Sequence, residues 1–562
     1  MQFNWIDTVV LVVYMVGIMW LGLYQARKVK NTGDFFAGGR TFNKFLMTMH
    51  SLGTGTHADD PVGVVGAAFK HGISGIWYTF VYLFVTPFYW LMAPLFRRSR
   101  FLTTADFFEA RFGSKLGTLY AVMGILIFSV NMGTLLKGTG LIVNAVTLGA
   151  VSEFWAILGM TVVFLIYGTA GGLIATVITE TVQGLLIVVM SLLLIPFGLK
   201  MLGGFSGLHQ WVSDPQMFAL TGKLELSFWW IAAGFVANLI GIVAQPHTME
   251  VCSTGKTEFE GRVGFTYGNF VKRLCAIGWA FAGVIMVGLV AKGTISGSGL
   301  EVTREAAFGT AIRCLLPAGF TGLMFAAILA AQMSTLSAFM VAASALLSRN
   351  VYKKQINPAA DEVQMLKVAR VAGLVIVALG VLFAYKIQGV ADALGWFWSL
   401  SALTGLFMWF GVLWRRTNAT GAWASFIVMF VIWAIVGQPG AALKHLLSSV
   451  SFLGIYGDKT MLHYLLLCYL PAGIVALVIG SYIGKPHPKD KLDKFYALLN
   501  TPVGREKELI EQGVEVVYAG ASKGHPWEMN HSKRVDIIGF IIALVISGLF
   551  FALLYGLTRI GA

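Results

Sequence analysis

Long apolar runs recur from one end of the chain to the other, with short polar stretches between them. A bilayer core takes about 20 apolar residues as helix, and on that measure the chain carries about fourteen candidate runs. They cover residues 7–24, 45–70, 73–95, 116–148, 153–168, 173–199, 228–249, 265–291, 319–347, 363–385, 394–414, 421–436, 462–483 and 535–555. Every second polar stretch is basic. Arg40 and Lys44 follow the first run; Arg97, Arg98, Arg100, Arg111 and Lys115 follow the third. Lys256, Arg262, Lys272 and Arg273 are counted with the loop after the seventh, Arg349, Lys353, Lys354, Lys367 and Arg370 lie between the ninth and tenth, and Arg415 and Arg416 follow the eleventh. Residues 485–534 form the longest polar stretch and are basic too. Cytoplasmic loops collect Lys and Arg, so the pattern predicts an all-α integral membrane protein of about 14 transmembrane helices, with N- and C-termini outside.

Composition agrees. Of 562 residues, 57% are hydrophobic and only 12% charged, about half the roughly 25% of soluble domains. That excludes a soluble enzyme, a disordered chain and a nucleic-acid binder. The net charge of +14 reports loop orientation, and no nucleic acid partner follows from it. Cys252, Cys275, Cys314 and Cys468 contain no C-x-x-C pair and suggest neither disulfide framework nor metal site. The first positive charges, Arg27, Lys28 and Lys30, come after the first apolar run, the order of a retained helix and not of a cleaved signal.

Two runs are interrupted. In 45–70, Gly53-Thr54-Gly55-Thr56 weakens the helix, and Asp60-Pro61 reads as an N-cap followed by proline at the first helical position. In 228–249, Gly234, Asn238, Gly241 and Gln245-Pro246 do the same. Broken helices in the second and seventh runs are the pattern of a transporter built from inverted repeats, here runs two to six and seven to eleven. Ionisable groups inside runs cost roughly 2.5–3.5 kcal/mol each to insert, and four stand out: Asp59, Asp60, Lys137 and Glu180. Each is a functional candidate, set against a plainer role: capping for Asp60, snorkelling or aspartate pairing for Lys137, interfacial solvation for Glu180. Ala331, Ser334 and Thr335 share one helical face. Its oxygens suit a hard cation such as sodium, although small residues also let helices pack closely.

Five segments in order then resemble the sodium:solute symporters, which include sodium–glucose, sodium–proline and sialic acid cotransporters. They are Thr103-Thr104-Ala105-Asp106 through Gly113, Gly171-Gly172 through Gln183, Gln245-Pro246-His247, Leu315 through Ser337, and Gly411 through Gly421-Ala422. The resemblance implies a LeuT-like five-helix inverted-repeat core with extra helices and alternating access. It implies a shared sodium ion site at Gly53, Thr56, Ala331, Ser334 and Thr335, and a second sodium at Glu180 and Ser337. Ala338 stands where a further hydroxyl ligand occurs in some members.

Substrate residues carry over less well. Asp60, Thr79 and Tyr82 replace polar groups of the sugar-binding members, and Asn238 matches one. Lys137 resembles in location a cation that holds a carboxylate in sialic acid carriers. Trp77, Tyr78, Trp396 and Trp398 are candidate apolar walls, or interface anchors. The sequence thus predicts sodium-coupled import of a small organic solute, carboxylated or sugar-like, through a multi-pass protein of the cell membrane, of the bacterial inner-membrane kind. Proton coupling through Asp59, Asp60 or Glu180, or a non-transporting solute sensor, are the alternatives; no enzyme chemistry is indicated. The chain divides into an extra helix and loop (1–44), the transport core (45–416), additional helices (417–484), a cytoplasmic segment (485–534) with a short helix near 492–500, and a last transmembrane helix (535–562). The lipid bilayer is its solvent, and oligomeric state is left open.

Overall fold

The computed structural model describes residues 4–29, 32–222, 226–295, 303–304, 306–387, 390–437, 455–456, 459–460, 462–503 and 534–561. It is almost entirely helical. In chain order the helices are α1 (Trp5–Ala26), α2 (Thr32–Ala37), α3 (Lys44–Gly55), α4 (Asp59–His71), α5 (Trp77–Ser99), α6 (Thr104–Phe112), α7 (Ser114–Val146), α8 (Glu153–Leu202), α9 (Gly204–Trp211) and α10 (Phe228–Gly241). There follow α11 (Pro246–Ser253), α12 (Glu258–Ala291), α13 (Ala307–Leu315), α14 (Phe320–Ala345), α15 (Glu362–Lys386), α16 (Val390–Leu413), α17 (Ala419–Gly437), α18 (Leu462–Ile483), α19 (Lys489–Asn500) and α20 (Arg534–Arg559). The last turns of α14 widen into a π-helix, Leu346–Ile356.

Among the described residues, eleven helices are long and apolar enough to cross a membrane, and a twelfth if the pair Phe228–Ala244 and Pro246–Ser253, bent by 63°, counts as one. All fourteen apolar runs are helical, but the run from Glu153 is a short apolar piece. It continues into the next run within α8, which turns sharply at Gly172 (φ +51°, ψ −153°). That turn needs glycine twice over: its φ is left-handed, and a Cβ there would lie 2.6 Å from the Phe35 ring.

Both expected breaks are present. The α10–α11 break follows the sequence, with Gln245 capping and Pro246 in the first turn of α11. At the other, α4 starts earlier than predicted: its N-cap is Ala58, and Asp60 lies inside the first turn. The Asp60 carboxylate instead accepts the His57 N–H at 3.3 Å. Side-chain caps set several other starts, as where Asn43 accepts from Leu46 N–H at 2.9 Å, and Thr103 and Thr257 form capping boxes with Asp106 and Glu260.

The centre is a single large apolar cluster to which α4, α5, α7, α12, α14 and α16 contribute. Helix α12 packs on α3, α4, α5 and α8, and α14 packs on α8 and α3. The outer helices turn apolar side chains outward: Val13 on α1 is 67% exposed and Ile541 on α20 is 52% exposed. Such faces have no place in water, and they match lipid. The protein is a multi-pass membrane protein.

Candidate functional site

The α3–α4 break leaves residues 56–58 out of the helix, with Thr56 extended (φ −123°, ψ 113°). The freed backbone groups need partners in a dry interior, and α14 supplies them. Gln332 Oε1 accepts the Ala58 N–H at 3.1 Å. Thr335 Oγ1 lies 3.0 Å from the Gly53 carbonyl oxygen and 3.1 Å from that of Ala331. Thr56 Oγ1 is buried and has no hydrogen-bond partner. Thr56 and Ala331 line one small cavity of about 290 Å³, together with His57, Pro61, Ser191 and Trp279. Gly53, Thr56, Ala331 and Thr335 are therefore drawn together by one clasp. Ser334 is on the same helix, and its side chain lies outside the described residues. The donor set is all oxygen, with one hydroxyl orphaned, which fits a hard monovalent cation.

Glu180 lies behind this clasp and is fully buried, so interfacial solvation does not describe it. His50 Nδ1 is 2.6 Å from its Oε2, and Thr54 Oγ1 donates to its Oε1 at 2.9 Å. Ser337 donates instead to the Met333 carbonyl of its own helix, at 2.9 Å. The two residues expected to share a second sodium are thus each engaged elsewhere.

On the other side of the break a cavity of about 700 Å³ is lined by Asp60, Tyr82, Gln245, His247, Lys272, Arg273 and Trp398, among others. Lys272 Nζ pairs with Asp60 Oδ2 at 2.7 Å and also donates to the Gly55 carbonyl. It ties the broken end of α3 to the middle of α12. His57 Nδ1 bonds Asp59 and stands 3.4 Å from Asp60.

Of the predicted solute residues, Asp60 and Tyr82 line this cavity, as do the candidate walls Tyr78 and Trp398. The others are placed elsewhere. Lys137 pairs with Glu153 at 2.5 Å and meets neither aspartate. Trp77 donates to the Leu220 carbonyl and stacks on Phe84. Thr79 bonds the Ile76 carbonyl of its own turn, and Asn238 bonds Gly234. Trp396 packs edge-on against Trp433, and Trp398 faces the cavity in its stead.

Sequence reasoning missed Lys272 and Arg273, which it counted as loop charges. The structure corrects this: both lie mid-way along α12 and are buried. The signal was available, because the apolar run 265–291 already contained them. His50 and Asn269 were also missed, because single polar residues inside an apolar run carry no spacing that would mark them; Gln245 was read only as part of the helix break and of a family segment.

A model of the sodium:solute symporter family matches residues 35–428. The chain belongs to this family. It is 24% identical to the sodium/glucose cotransporter of Vibrio parahaemolyticus, over 75% of this chain and 82% of that protein. It is 26% identical to the sodium/pantothenate symporter of Escherichia coli (strain K12), over 76% and 89%. The sodium/proline symporter of Salmonella typhimurium is 25% identical, over 76% and 87%. A substrate-bound, outward-open structure of a Na+-coupled sialic acid symporter aligns with a TM-score of 0.71 at 18% identity, covering 86% of this chain and 99% of that one. Mhp1, a nucleobase-cation-symport-1 family transporter in a closed conformation, aligns with a TM-score of 0.50 at 12% identity, covering 81% and 96%. The fold is that of the LeuT-like transporters, and the chain is a transporter and not an enzyme.

Proposed function

We propose that this protein is a sodium-coupled symporter that imports a small organic solute across the bacterial inner membrane by alternating access. Its fourteen spans place both ends outside. The observation that carries the reading is the clasp between α3 and α14: the Gly53 and Ala331 carbonyls meet at the Thr335 hydroxyl, beside the orphaned Thr56 hydroxyl. A sodium ion bound among these oxygens, with Ser334, stabilises the arrangement of the break in which the neighbouring cavity takes solute. Coupling follows from the differing affinity of the two states for both ligands. Helix α14 reads the ion and α12 reads the solute, and both hold the same broken helix.

The test is uptake into proteoliposomes under an imposed sodium gradient. The double variant Ser334→Ala/Thr335→Ala should reach the membrane normally and lose sodium-stimulated uptake. Unchanged sodium dependence in that variant overturns the ion site.

A second reading has its own observation. The buried His50–Glu180 pair is a titratable unit beside Gly53, where the family resemblance would put a further sodium. Protons then serve as an additional coupling ion. Uptake driven by a pH gradient in sodium-free buffer supports it, and its absence leaves sodium alone.

A further inference from the structure

We infer that the solute is an organic monocarboxylate and that Arg273 is its anchor in the central cavity; this rests on the symport reading above. Arg273 is 1% exposed and lines the cavity with Asp60, Tyr82 and Trp398. Two of its three nitrogens, Nε and Nη1, have no hydrogen-bond partner. The third, Nη2, makes one long bond of 3.4 Å to Asn269 Oδ1. The guanidinium carbon stands 5.3 Å from the centre of the Tyr82 ring. Arg111, equally buried, is held differently: its Nε meets the Gly411 carbonyl at 2.8 Å and its Nη2 the Trp414 carbonyl at 3.1 Å.

No carboxylate among the described residues is in ion-pair contact with Arg273; Asp60 attracts it only from a distance. Asp60 is the one carboxylate among the described residues lining the cavity. It is already engaged by Lys272 at 2.7 Å and by the His57 N–H at 3.3 Å. Buried donors left without acceptors are costly, and a guanidinium is satisfied best by a carboxylate, whose two oxygens match its planar array of donors. One guanidinium with two open donor nitrogens fits one carboxylate. A zwitterionic amino acid would need a second, anionic partner for its ammonium group, and Asp60 is taken. The remaining wall is aromatic, with Tyr78, Phe397 and Trp398 beside Tyr82. It offers apolar surface to an organic body, which an inorganic anion lacks.

The experiment uses the purified full-length protein in sodium-containing buffer. Its melting is followed against a panel of short-chain, hydroxy, keto and aromatic monocarboxylates, each beside its neutral primary amide, with sodium chloride alone as a separate arm. Hits are then tested for inward transport in proteoliposomes. One or more carboxylates should raise the melting temperature while their amides do not. Arg273→Gln should weaken binding of the hit about 10- to 100-fold, as loss of a charge-assisted hydrogen bond does. Arg273→Lys, which keeps the charge and loses the planar fork, should fall between. The melting shift caused by sodium alone should survive in both variants, which shows that they are folded. The wild-type comparison of acid with amide needs no variant at all. The inference is overturned if amides act as well as acids, if no carboxylate acts, if chloride accounts for the shift, or if Arg273→Gln binds the hit as wild type does. Sodium-stimulated transport of a neutral solute alongside any of these results leaves symport standing and removes only the anion subsite.

Discussion

Gly53 shows how closely the ion clasp and the buried acid are joined. A Cβ built at this position would sit 2.7 Å from both Cβ and Cγ of Glu180, well inside contact distance. The Glu180 side chain cannot swing aside, because its Cβ moves only with α8 and its carboxylate is held by His50 and Thr54. Gly53→Ala must therefore push α3 away from α8 and displace the Gly53 carbonyl from Thr335. Overpacking of this kind costs roughly 1–3 kcal/mol. The variant should insert normally and need about tenfold more sodium for half-maximal uptake; an unchanged sodium requirement would mean that the carbonyl has no part in ion binding. Glu180 stood out in the sequence because an acid inside an apolar run is rare and costly. Its partner His50 did not, since one histidine in such a run says nothing of which helix it faces. The hydroxyl face of α14 was visible as spacing, but its use of Gly53 as partner comes only from the packing of the two helices.

At the scale of the element, α12 is the helix that the sequence described least well. Positive charge near the end of an apolar run marks a loop, and on that rule Lys272 and Arg273 joined the basic stretch after the seventh run. In fact α12 begins at Glu258, so both cations are well inside it. A loop lysine and a buried lysine differ only in their partners, and those of Lys272, Asp60 and the Gly55 carbonyl, belong to a distant part of the chain. The breaks were legible for the opposite reason: glycine, threonine and proline weaken a helix locally, whatever packs against it. Lys272 acts as the strut of the α3–α4 break. Removing one partner of a buried pair leaves the other charge uncompensated, at about 3–5 kcal/mol. Lys272→Met should therefore lower the melting temperature strongly. Adding Asp60→Asn should recover much of the loss, because the stranded carboxylate is gone. If the double variant melts no higher than Lys272→Met alone, the pair is not what holds the break.

Across the whole molecule, a short helix is docked at one end of the helix bundle. Apolar runs announced the helices, and the short helix expected near residues 492–500 is present as α19. What α19 packs against was not legible, because it lies on α5 and α6 and reaches the end of α16, parts of the chain far away in sequence. Tyr496 donates to the Gly411 carbonyl at 2.8 Å, Arg415 pairs with Asp493 at 2.7 Å, and Arg111, beside the Phe495 and Tyr496 rings, meets Gly411 and Trp414. His487 lies in the linker between α18 and α19, with its ring 6.5 Å from that of Phe112. Burial first, then the nearby positive charges of Arg111 and Lys491, hold its pKa down to about 4, from an ordinary value of 6.5. With this helix docked, His487 therefore binds a proton less readily than with it undocked. Above pH 6.5 both forms are neutral at this residue and docking is undisturbed. As the pH falls from 6.5 towards about 4, only the undocked form gains the proton, so acid progressively favours release. The melting temperature of the purified protein should decline over that window, and His487→Asn should flatten the decline while leaving stability above pH 6.5 nearly unchanged. An identical acid decline in the variant would assign it to other groups, of which Asp106 is the first to examine. Burial raises the Asp106 carboxyl, but Lys354, Arg349 and the hydrogen bond from Asn350 outweigh that and hold it below the ordinary carboxylate range. Its contribution is therefore present above the ordinary carboxylate range and is lost only in stronger acid, as the pH falls through the depressed folded value. The two sources separate along the pH axis, with the histidine acting first.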